Sequence, residues 1–130
     1  MLTKKIVGSV LISTLLFSQA VFTQTAKRIQ FAKGQSSATV TGTLKSDSQA
    51  IYKIGAKKGQ KLTVDFKSNV GKNAGITIFA PDPDGENKLI WGEDGLGSKS
   101  MEFDLNFTGD YEIEVGSTRR CSYTLIVKIR

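Results

Sequence analysis

From residue 61 onward, apolar and polar positions alternate. In QKLTVDFKS, Leu62, Val64 and Phe66 share one face, and Lys61, Thr63, Asp65 and Lys67 share the other. SMEFDLNF sets Met101, Phe103, Leu105 and Phe107 against Glu102, Asp104 and Asn106. DYEIEV sets Tyr111, Ile113 and Val115 against Glu112 and Glu114, and CSYTLIVKI aligns Cys121, Tyr123, Leu125, Val127 and Ile129. A period of two built on β-branched and aromatic residues marks strands buried on one side. Weaker strand patterns cover residues 28–31, 37–44, 50–56, 75–80 and 88–91. KKGQ, NVGKNAG, PDPDG, EDGLG and FTGD punctuate the runs with turn residues. No segment carries a 3.6-residue apolar period. The pattern predicts an all-β fold, a single antiparallel β-sandwich of jelly-roll type with eight to nine strands. A closed barrel is the alternative.

The first residues read differently. Lys4 and Lys5 precede a 12-residue apolar run, IVGSVLISTLLF, followed by Ser18 and Ala20. The run is short for a membrane span, and small residues at the −3 and −1 positions suit a signal peptidase. Residues 1–20 are therefore expected to be a signal peptide cleaved after Ala20, with Ala26 as second choice and an uncleaved anchor as the competing reading. Residues 21–130 form one domain, exported to the periplasm or secreted, with no later run able to cross a membrane. The single cysteine excludes an internal disulfide.

Charge is segregated along the chain. Residues 27–72 hold ten Lys/Arg and two Asp/Glu, whereas residues 73–118 hold two and ten. Residues 119–130 add four cations and no acid. A dedicated nucleic-acid binder would not carry such an acidic block, so no nucleic-acid partner is expected.

The absence of histidine removes His-dependent triads, His-ligated metals and the commonest general base at neutral pH. Cys121 lies on the inward face of the last strand, which favours a buried structural thiol over a cross-linking one. Asp82, Asp84 and Glu86, with Glu93 and Asp94, offer oxygens for calcium. Pro83 interrupts any EF-hand spacing, so solvated turn carboxylates are the favoured reading, and no metal or cofactor is expected. Trp91 shares a predicted face with Leu89 and reads as core before it reads as a sugar platform. The sequence points to no catalytic set and hence to no enzyme. What is left is Arg119-Arg120, at the connection between the last two strands. Loops on a rigid β-scaffold commonly carry binding residues, and guanidinium forks suit carboxylates. The plain alternative is a solvated hairpin end.

Several segments resemble the bacterial periplasmic inhibitors of g-type lysozyme. The similar features are Phe31-Ala32-Lys33-Gly34, Ser36-Ser37-Ala38, Tyr52 with Ala56, Gly59-Gln60, Gly109-Asp110-Tyr111, Arg119-Arg120 and Tyr123-Thr124-Leu125. The resemblance spans nearly the whole chain after the signal segment and is strongest at its two ends. It implies an antiparallel β-sandwich that inserts loops into the substrate cleft of a lysozyme, its protein partner, without catalysis. Matched by position, the lysozyme-binding residues would be Arg119, Arg120 and Tyr52. Tyr52 also shares a face with Ile54 and Ala56, which fits a core position equally well. One departure is the short GSTRRCS segment between Val115 and Tyr123. A non-inhibitory envelope module that binds glycan or protein is the alternative function, and a monomer or weak dimer is expected.

Overall fold

A computed structural model of the chain describes residues 26–84, 86–93 and 98–130. The expected signal segment with its cleavage site, and Asp94, lie outside the described residues. Nine strands are present among the described residues: β1 (Lys27–Arg28), β2 (Ser37–Leu44), β3 (Ser48–Ala56), β4 (Lys61–Ser68), β5 (Ala74–Ala80), β6 (Lys88–Glu93), β7 (Ser98–Asp104), β8 (Gly109–Ser117) and β9 (Cys121–Ile129). They form a five-stranded sheet, β1-β3-β8-β5-β6, and a four-stranded sheet, β2-β9-β4-β7. Setting β1 aside, this is jelly-roll connectivity in two layers. Strand pairing is antiparallel except at β1, whose Lys27 and Arg28 run parallel to Tyr52 and Lys53 of β3.

The alternation decides which faces meet. Leu62, Val64 and Phe66 of β4, Ile113 and Val115 of β8, and Leu125 and Val127 of β9 are fully buried. They join one cluster with Ile54, Ile76, Ile78 and Tyr111, so a single core fills the space between the sheets. β4, β5, β8 and β9 bury every second residue and leave the alternate ones partly or fully exposed, as a two-layer β-domain requires. Cys121 is buried at the start of β9.

One expected face is corrected. Phe79 pairs with Leu89 while the next pair is Ile78 with Trp91, so β6 carries an extra residue there. Such a bulge shifts the side-chain phase by one. Leu89 therefore joins outward Phe79 and stays 57% exposed. Trp91 turns inward beside Ile78, with its ring 6.4 Å from Phe103 and Lys99 Nζ 5.1 Å from its centre.

The charge blocks interleave in space. Basic β3 lies beside acidic β8, and basic β4 beside acidic β7. Lys53 faces Glu112 at 3.9 Å, Lys61 faces Glu102 at 3.3 Å and Asp104 at 3.8 Å, and Arg130 reaches Glu102 at 3.3 Å. Arg28 makes a bidentate pair with Asp110, at 2.8 and 2.6 Å, which fastens two-residue β1 to the sheet.

Gly109-Asp110-Tyr111 has a separate physical task at each residue. Gly109 has φ 149 and sits against Pro81, a backbone setting that disfavours a side chain. Asp110 holds β1. The Tyr111 hydroxyl donates to Phe107 O at 2.6 Å and accepts from Phe107 N at 3.2 Å, locking the corner where β7 leads into β8. The hydrogen bond from Arg28 holds the Asp110 carboxyl below its ordinary pKa of 3.8, opposed by some desolvation. A depressed carboxylate stabilises the fold above its unfolded pKa, and that contribution disappears as pH falls through the folded value. Asp110→Asn is accordingly expected to flatten the acid limb of the stability profile below about pH 4, read as Tm against pH beside the wild type.

Candidate functional site

Three connections gather at one end of the sandwich: residues 45–47 between β2 and β3, residues 69–73 between β4 and β5, and residues 118–120 between β8 and β9. The topology requires this. Leu44 pairs with Cys121, Ser48 and Ala74 both pair with Ser117, and Ser68 pairs with Tyr123, so these strand ends lie level.

Residues 118–120 form an arch, not the hairpin end that adjacency in sequence suggested. β8 belongs to the five-stranded sheet and β9 to the four-stranded one, so the chain crosses the full thickness of the domain there. The arch is short and well tied. Thr118 N donates to Asn73 O at 2.9 Å. Ser117, buried, donates its hydroxyl to Arg119 O and accepts from Arg119 N, closing the first bend. On the far side, Ser122 N donates to Asn69 Oδ1 at 2.9 Å, and Asn69 N donates to Ser122 O at 3.2 Å. The connection at residues 69–73, which includes the 3-10 turn at Gly71–Asn73, thus braces both feet of the arch.

Arg119 and Arg120 are both exposed on this arch. Among the described residues neither guanidinium is paired with a carboxylate, in contrast to Arg28 and Arg130. Arg120 borders a hollow of about 410 Å³ with Thr43, Leu44, Lys45 and Ser46. A second hollow, of about 460 Å³, runs beneath Thr118 and includes Asp47, Lys72 and Asn73. The three connections together carry Lys45, Lys72, Arg119 and Arg120 against one acid, Asp47. Sequence reasoning singled out the arginine pair. It missed the two lysines, because only the fold brings residues 45, 72 and 119 to one end.

Tyr52 takes a different place from the one expected for a partner contact. Its side chain is 5% exposed, in the core between the sheets. Its hydroxyl bonds the Tyr123 hydroxyl, and the two rings meet edge-on at 6.5 Å. The cause lies in the β3 alternation: Tyr52, Ile54 and Ala56 all point inward. Burial first, then the bond to Tyr52, raises the Tyr123 phenol far above its ordinary pKa. Tyr52 thus takes the core position that its shared face with Ile54 and Ala56 allowed.

Asp82 Oδ1 accepts from Asp84 N at 2.9 Å, an Asx-type closure of the β5–β6 turn. Among the described residues no three His, Cys, Asp or Glu side chains converge as ligands, and Glu86 is exposed.

No protein-family model matches the chain. It is 34% identical over 116 residues to the inhibitor of g-type lysozyme of Escherichia coli (strain K12), a match covering 89% of this chain and 84% of that protein. Among solved structures it is similar to PliG of Aeromonas hydrophila, a periplasmic lysozyme inhibitor of g-type lysozyme. That likeness has a TM-score of 0.65 at 31% identity, over 82% of this chain and 96% of the other. PliG of Salmonella Typhimurium, described in the same words, aligns with a TM-score of 0.55 at 26% identity, over 82% of this chain and 100% of the other. The chain belongs to the family of inhibitors of g-type lysozyme.

Proposed function

We propose that this protein is exported to the periplasm, binds a g-type lysozyme and blocks its substrate cleft with the end of the sandwich that carries Arg119 and Arg120. It acts by binding and has no catalytic step of its own. Family membership supports the target. The observation that carries the mechanism is the exposed guanidinium pair, without a carboxylate partner among the described residues, on an arch whose two feet are hydrogen-bonded to the neighbouring connection.

The chemistry follows from what a glycosidase keeps in its cleft. Such enzymes place carboxyl groups on either side of the scissile bond. A guanidinium offers those oxygens a planar set of donors and keeps its charge at every relevant pH. Because the arch is tied down in the free protein, little ordering remains to be done on contact, which removes one of the main costs of association. Lys45 and Lys72 extend the cationic end beyond the arginines and favour approach to an anionic pocket. The Tyr52–Tyr123 pair lies in the core one strand-end below and keeps the two sheets in register under the arch.

The test is inhibition of purified g-, c- and i-type lysozymes by the purified exported protein. The expected outcome is one-to-one, near-stoichiometric inhibition of the g-type enzyme and little effect on the other two. A protein that leaves g-type activity untouched at micromolar excess would refute the reading, and retention on cell-wall material in that case would indicate a non-inhibitory envelope module.

A further inference from the structure

We propose that β2 is a self-association edge, pairing antiparallel with β2 of a second copy of this chain about a two-fold axis at Val40. The proposal goes beyond the lysozyme reading and does not depend on it. β2 terminates the four-stranded sheet, and β9 is its only neighbour among the described residues. Ile129 N donates to Ser36 O, which fixes the phase of the ladder. Antiparallel pairs alternate, so the backbones of Ala38, Val40, Gly42 and Leu44 face β9. Those of Ser37, Thr39, Thr41 and Thr43 face outward from the sheet.

Open edges are normally defended by charge, proline, a bulge or shortness. The other three edges show such devices. β1 has two residues, both cationic. β6 is bulged, and β7 carries Lys99, Glu102 and Asp104. β2 has none: eight residues, SATVTGTL, in unbroken register, without charge or proline. Thr39, Thr41 and Thr43 are exposed, and Ala38 and Val40 are only partly covered.

The argument for a second copy, over some other strand, is that β2 fits itself. With Val40 opposite Val40, Thr39 meets Thr41 and Ser37 meets Thr43, all four with outward-directed backbone groups. Ala38 meets Gly42 on the inward side, where neither side chain is large enough to obstruct the other. Threonine opposite threonine is a favourable cross-strand pair, and no like charges come face to face although the protein is basic. The product is an eight-stranded sheet, in which the antiparallel pairing sends the two arginine arches to opposite ends.

Sedimentation analysis over a concentration series tests this. The exported protein is expected to form a dimer that dissociates on dilution. Thr41→Pro is expected to be monomeric throughout with an unchanged Tm, because its lost N–H faces away from β9. A Thr39→Lys/Thr41→Lys double variant, which leaves the backbone untouched, is expected to behave the same way should the proline variant fold poorly. A wild-type protein that stays monomeric to submillimolar concentration would overturn the proposal, as would a folded double-lysine variant that still dimerises.

Discussion

Changing Arg119 and Arg120 together to alanine is expected to weaken inhibition of a g-type lysozyme at least tenfold, a loss of at least about 1.4 kcal/mol. Both side chains are exposed and, among the described residues, neither is paired with a carboxylate, so no described ion pair is lost when they are removed. In the complex, an arginine enclosed at the centre of an interface is among the residues whose truncation costs most. The comparison that isolates contact from charge is Arg130→Ala, which removes a cation from the far end of β9, where Arg130 reaches Glu102. That variant is expected to inhibit nearly as well as the wild type. Equal losses from both changes would point to long-range attraction alone, and an unchanged inhibition constant in the double variant would remove the arch from the mechanism. Tm measured alongside keeps the result interpretable, since an exposed arch should tolerate alanine within about 0.5 kcal/mol.

The largest stability effect is expected at Gly42, where a methyl group has no room. A Cβ placed there would lie 2.6 Å from Tyr123 Cζ, 2.9 Å from Cε1 and closer still to the hydroxyl oxygen. Gly42 pairs directly with Tyr123 across the ladder, so the ring lies over the bare α-carbon. Gly42→Ala must displace the ring, and with it the bond that Tyr123 shares with Tyr52. Overpacking of this kind costs about 1–3 kcal/mol. Each kcal/mol lowers Tm by roughly 4–8 °C in a domain near this size. Tyr123→Phe supplies the control. On its own it strands the Tyr52 hydroxyl in the core, which costs about 1–3 kcal/mol. Combined with Gly42→Ala it removes the most crowded atom, so the pair together should cost less than the sum of the two separately. Strict additivity in thermal melts would show that the alanine is accommodated elsewhere.

These two positions also show what a linear chain can and cannot reveal. The strands were legible because alternation is local: β2 coincides with the expected 37–44 segment, and the inward sets on β4, β8 and β9 follow the two-residue period. The arch was not, since adjacency of two strands in sequence says nothing about whether they share a sheet. Leu89 and Trp91 parted company because one inserted residue reverses facing, and a bulge leaves no mark in hydrophobicity alone. Tyr52 was visible as an inward position through Ile54 and Ala56, but its partner lies 71 residues away. The need for glycine at 42 is likewise set by a ring more than half the domain distant. The charge blocks are separate only along the chain, and strand order brings them together at the β3–β8 and β4–β7 borders.

Strand order has a temporal consequence as well. Among the described residues, β2 has β9 as its sole ladder partner, and β3 has β8 as its only long one. β2 and β3 therefore have no long strand to zip onto until the last twenty or so residues emerge. Non-local closure of this sort is slow, in the millisecond-to-second range. For a polypeptide threaded across a membrane from its amino end, that delay is useful: the leading portion stays loose enough to pass. β8 and β9 then complete one layer each, so both sheets close within the same stretch of chain.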